Sequence, residues 1–151
     1  MALAELSPLI NEALENGNEV IFTVTGNSMA PFLKHQRDKV CLVKSGGKLL
    51  KKYDLPLYLR ADGKYILHRI IEVKNNGYVT AGDQQWVKEY PVLPSQVVAV
   101  AKGFWRQGKY ISCNSFLYRV YCRFWVALFP LRRFYFKGKQ LWTKVKRVNQ
   151  N

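Results

Sequence analysis

Three residues of this chain have types and settings that could do hydrolytic chemistry: Ser28, His68 and Asp83. Ser28 stands in the run Gly26-Asn27-Ser28-Met29-Ala30-Pro31, directly after an alternating apolar and polar stretch at 19–25. The pattern predicts a serine hydroxyl presented at a strand end, with backbone N–H groups of the following turn free to receive an oxyanion. The same tripeptide also makes an ordinary turn, in which a serine only binds local backbone. His68, with Arg69, interrupts an apolar run at 65–73. A neutral imidazole near pH 7 is the usual base for activating a serine, and the plainer alternative is a hydrogen-bonded core histidine. Asp83 leads the segment Gly82-Asp83-Gln84-Gln85 and reads either as a turn aspartate or as the carboxylate that orients His68.

The elements that must carry these residues are mostly strands. Period-two alternation predicts strands at 19–25, 38–43, 55–60, 65–73, 78–80 and 96–102, with a short one at 110–112. Asp62-Gly63 and Asn75-Asn76-Gly77 are the turn signals between them. An amphipathic helix is expected at 3–16, capped by Ser7 with Pro8 in its first turn and stopped by Gly17. A second helix is expected at 115–129, ended by Pro130, with Arg119 and Arg123 on one face. The expected architecture is mainly β: an antiparallel, barrel-like domain over 1–112, and a basic, aromatic helical tail over 113–151.

Charge also divides the chain, but earlier, after Glu89. Up to Glu89 there are twelve Lys or Arg and ten Asp or Glu; from Tyr90 onward there are twelve Lys or Arg and no acid. A segment so basic calls for an anionic partner. Cys41, Cys113 and Cys122 are an odd number without metal-type spacing, read as free thiols in a reducing compartment. With only His35 and His68 as histidines, and neither beside a cysteine pair, no metal or cofactor is expected. The first residues lack the basic head of a secretory signal, and no run approaches the roughly 20 apolar residues of a membrane span. The expected location is cytoplasmic, or peripheral on the inner face of the membrane.

Taken in order, Gly26-Asn27-Ser28-Met29-Ala30-Pro31, then His68-Arg69-Ile70-Ile71, then Gly82-Asp83 resemble the three signatures of the signal peptidase I and LexA-repressor type of serine peptidase. The resemblance covers roughly 20–101. It implies Ser28 as nucleophile, His68 as general base in the position where bacterial relatives carry lysine, and Asp83 as orienting acid. The Ser/His form is that of the endoplasmic-reticulum and archaeal signal peptidases. Gly26, Asn27, Met29 and Pro31 would line the substrate groove, and Arg69 would pair with a nearby acid or carbonyl. Two departures stand out. The family's Gly-Asp bends are here Gln36-Arg37-Asp38 and Tyr53-Asp54, with the aspartates kept and the glycines gone. A preceding membrane anchor or DNA-binding domain is not expected.

The resemblance implies an endopeptidase that removes a leader or signal-type segment from a precursor bound as an added β-strand. Two alternatives differ in class. One is a regulatory module of the same fold that cleaves itself or nothing. The other is a nucleic-acid binder acting through the basic tail, which has stacking aromatics but no recognised nucleic-acid module. For residues 113–151, with Trp105 just before them and Trp125 and Trp142 among them, an anionic membrane surface is the preferred partner, and packing on the core is the competing reading.

Overall fold

Hydrophobic alternation turns into two antiparallel sheets and two helices in the computed structural model, which describes residues 7–132, 134 and 135. Helix α1 (Ser7–Glu15) begins at the residue expected to cap it, and the expected positions 3–6 lie outside the described residues. Gly17, at φ +76°, ends it: the Asn18 N–H reaches back to the Ala13 carbonyl at 2.9 Å, a left-handed stop that glycine adopts without strain. Ile10 and Leu14 seat the helix on the main core.

The larger sheet runs in the order β1 (Val20–Thr23), β2 (Lys39–Val43), β8 (Val97–Arg106), β3 (Pro56–Leu59), β4 (Tyr65–Leu67). β9 (Lys109–Ser112) also pairs with β8. β8 is the spine. One edge takes β2 from Val100 to Trp105, while the other takes β3 at its start and β9 at its end. The smaller sheet is β5 (Arg69–Lys74), β6 (Gly77–Ala81) and β7 (Glu89–Val92). Leu50, Tyr58, Ile70, Tyr78 and Val92 form the apolar contact between the sheets. The chain is thus mainly β and antiparallel, as expected.

The largest departures from the sequence reading are these. The run at 65–73 is two strands in different sheets, and the break falls at His68. Tyr53 and Asp54 hold Ile70 there, with Tyr53 N–H to the Ile70 carbonyl at 2.8 Å and Ile70 N–H to the Asp54 carbonyl at 2.9 Å. β7 was not expected, and β8 continues to Arg106. Finally, α2 (Phe116–Ala127) closes at Leu128, and residues 129–132 are helical again through Pro130. A proline near the start of a helical segment costs no hydrogen bond, so Pro130 opens the second segment instead of ending the first.

α2 lies on both sheets. Tyr118 and Cys122 enter the main core, and Val126 and Phe129 pack on Ile71, Val79 and Ala81 of the smaller sheet. The two glycine-free segments at Gln36-Arg37-Asp38 and Tyr53-Asp54 are tight turns. Gln36 and Tyr53 take positive φ, at 54° and 83°, a conformation L-residues resist, and Asp38 and Asp54 brace the turns by accepting from the Lys34 and Lys51 N–H groups. No helix among the described residues is long and apolar enough to cross a membrane.

Candidate active site

Ser28 follows β1 in a turn fixed from three sides. Gly26, at φ +85°, sends its N–H to His35 Nδ1 at 2.8 Å, so His35 pins the approach to the serine. Ala30 N–H closes the turn on the Asn27 carbonyl at 3.0 Å, and Met29 is buried as an anchor in the core. On the third side the Gln84 N–H holds the Ser28 carbonyl at 2.8 Å. Gly82 lets that contact form, because a Cβ there would stand 2.6 Å from the Ser28 carbonyl oxygen. The N–H groups of Ser28 and Met29 have no protein acceptor among the described residues.

The break between β4 and β5 places His68 in the same cleft. Ser28, Met29, Thr25 and His68 line a cavity of about 120 Å³ with Phe22, Val24, Leu57 and Tyr65–Leu67. Ser28 and His68 share it without a direct hydrogen bond among the described residues. β1 and β4 are opposite ends of the large sheet's strand order, yet both wall this cleft, so the sheet curls until its two end strands face each other.

His68 is buried, at 3% exposure, and burial holds its pKa below the ordinary histidine value even though nearby carboxylates pull the other way. The imidazole is therefore neutral near pH 7. Its Nδ1 faces the Tyr58 hydroxyl and Glu89 Oε1, each at 3.5 Å. Tyr58 donates to Glu89 Oε2 at 3.0 Å and lies 3.0 Å from the Thr80 hydroxyl. Arg60 reaches Glu89 Oε1 at 3.4 Å. With this polar group on Nδ1, the opposite ring nitrogen is the one left to accept a proton.

Asp83 is a correction to the sequence reading. Both of its carboxylate oxygens are taken by Arg69, with Nε to Oδ1 at 2.9 Å and Nη2 to Oδ2 at 2.8 Å, and both side chains are buried. Tyr121 adds a third donor to Oδ2 at 3.1 Å. The Asp83 carbonyl accepts from Trp125 Nε1 at 3.1 Å and Arg132 Nη1 at 2.8 Å. Asp83 thus fastens α2 and its continuation to the sheet that carries Arg69, and the acid beside the imidazole is Glu89.

The remaining expected site residues divide. Met29 lines the cleft, whereas Gly26 and Asn27 do not and act through the turn. Pro31 lies outside that cleft and borders a separate cavity of about 380 Å³, with Ala30, Asp83, Gln84, Trp125, Leu128 and Arg132. Arg69 does pair with an acid and a carbonyl, donating to Tyr53 O at 3.3 Å in addition to Asp83. Tyr58, Glu89 and His35 escaped sequence reasoning. For Glu89 the one available signal was that it is the last acid before a wholly basic third of the chain.

A neutral buried base, a half-buried hydroxyl and two free amides around one apolar cleft can support acyl transfer by a serine. Comparison with known protein families and with curated proteins finds no match to this chain.

Proposed function

We propose that the chain is a serine endopeptidase, of the signal-peptidase and LexA-repressor type that its motifs resemble, and that it cuts an extended precursor segment. The observation that carries this reading is the shared cleft: Ser28 and His68 come from distant parts of the chain and meet where the two end strands of the large sheet, β1 and β4, face each other. An extended peptide satisfies its backbone groups by adding to an end strand. It lies between β1 and β4 with its scissile carbonyl over Ser28. The small apolar cavity favours a small side chain beside the cut.

In this mechanism the second ring nitrogen of His68, Nε2, takes the Ser28 proton as Oγ attacks the carbonyl. The tetrahedral oxyanion is received by the Ser28 and Met29 N–H groups. The imidazolium is stabilised through Nδ1 by Glu89 and Tyr58, then gives its proton to the leaving amine. Water repeats the cycle on the acyl-serine. In serine hydrolases the nucleophile–base hydrogen bond commonly tightens only in the complex with substrate.

The test is cleavage of an unbiased peptide pool by the purified chain, read by mass spectrometry, with Ser28→Ala and His68→Ala beside it. Both variants are expected to lose nearly all cleavage, and the double variant to be little worse than either, because the two act as a unit. Cleavage that persists in Ser28→Ala overturns the proposal.

A further inference from the structure

α2 is apolar on two sides. Its inner side is used: Tyr118 and Cys122 are buried in the core. On its outer side Phe116, Leu117, Val120 and Phe124 are 77, 80, 43 and 66% exposed. At 3.6 residues per turn these four fall within a roughly 100° arc, as regular as the buried stripe. Leu131, Phe134 and Tyr135 continue the exposed apolar surface beyond α2. Among the described residues, nothing buries Phe116, Leu117, Val120 or Phe124. A helix facing water needs one apolar stripe, not two, and a second contiguous one marks a docking surface.

The charges beside the arc select the partner. Arg119 and Arg123, both exposed, run along one border of it. No acidic residue follows Glu89, and the sequence beyond Tyr135 adds Lys137, Lys139, Lys144, Lys146 and Arg147. An apolar arc edged with arginine and lacking acids matches the boundary between acyl chains and anionic headgroups. At twelve residues α2 is far short of the roughly 20 needed to span a bilayer, so it lies along the surface.

We propose that the outer face of α2 docks on an anionic lipid bilayer, with Phe116, Leu117, Val120 and Phe124 in the acyl boundary and Arg119 and Arg123 at the phosphates. The docking does not depend on the peptidase reading. If that reading holds, its substrate is met at the membrane surface, because the same helical region walls the Pro31 cavity beside the nucleophile turn: Leu131 and Tyr135 line it and are also exposed.

The test is co-sedimentation of the full chain with phosphatidylcholine vesicles, with and without phosphatidylglycerol. Phe116→Ser/Leu117→Ser/Phe124→Ser and Arg119→Gln/Arg123→Gln are run in parallel. All five positions are exposed, and an unchanged melting curve verifies the fold of each variant. Binding is expected only to vesicles containing phosphatidylglycerol. The arginine pair is expected to lose roughly thirtyfold in affinity, from about 1 kcal/mol per basic residue at an anionic surface. The triple variant should lose binding at every salt concentration. Failure of the wild type to bind, or equal binding by the triple variant, overturns the proposal. Concentration-dependent dimerisation that the triple variant abolishes, without vesicle binding, overturns it in favour of a second copy of the chain.

Discussion

Replacing Asp83 with asparagine separates a structural acid from a catalytic one. Arg69 is fully buried, and its other acceptors are neutral: the Tyr53 carbonyl, the Tyr118 hydroxyl and the Cys122 sulfur. Asp83→Asn therefore leaves a guanidinium in the core without its counter-charge. Breaking one side of a buried pair costs about 3–5 kcal/mol. Set against a total stability of roughly 5–15 kcal/mol, that is a large share. With a urea slope of about 2 kcal/mol/M, the unfolding midpoint is expected to fall by about 1.5–2.5 M. Tryptophan fluorescence is a suitable readout, because Trp125 donates to the Asp83 carbonyl and reports on the seating of α2. Removing both charges, as Arg69→Met/Asp83→Leu, is expected to give a protein more stable than either single variant, since no unpaired charge remains. An Asp83→Asn protein with an unchanged midpoint but abolished cleavage would refute this reasoning and return Asp83 to the role of orienting acid.

Two further outcomes concern the imidazole. Glu89→Gln removes a charge that raises the His68 pKa, so the acid limb of kcat/KM is expected to move to lower pH while kcat falls roughly 10²-fold; a pH–rate profile identical to wild type would exclude Glu89 as the partner of Nδ1. Because burial lowers the folded-state pKa of His68, the unfolded chain binds the extra proton first as pH falls through about 6.5, and stability is lost from there down to the folded pKa. Melting temperatures measured across that window should fall for the wild type and stay flatter for His68→Gln, and parallel curves for the two proteins would contradict the assignment.

The strands around Ser28 were legible because Val20, Phe22 and Val24 alternate cleanly and one face of β1 is half-buried. The break at His68 was not legible, because Tyr65 to Val73 is apolar on both sides of it. What interrupts the strand is tertiary: Ile70 is held by the Tyr53–Asp54 bend, and Arg69 turns inward to Asp83. β7 was hidden by Pro91, which reads as a strand breaker but is tolerated on an edge strand, where its missing N–H faces no partner. Missing β7 meant missing Glu89, whose place beside Tyr58 and His68 follows from its pairing with Thr80 across the smaller sheet. For α2 the sequence predicted a helix but not its orientation, because two apolar arcs offer two faces and only packing chooses between them.

The central position of β8 has a consequence for biosynthesis. β1 and β2 form an early hairpin, but the partners of Lys39–Val43 on the other side are Val100–Trp105, and β3 and β4 join that hairpin only through β8. A growing chain must pass from Val43 to Val97 before the sheet has its spine, a wait of roughly 3–11 s at about 5–20 residues per second. During that interval the strands that will wall the cleft belong to two unconnected pieces, and Ser28 and His68 have no frame that brings them together. The large loop closed at this step makes folding slow by topology. It also means that a nascent chain halted before β8 exposes two unprotected strand edges and carries no assembled cleft.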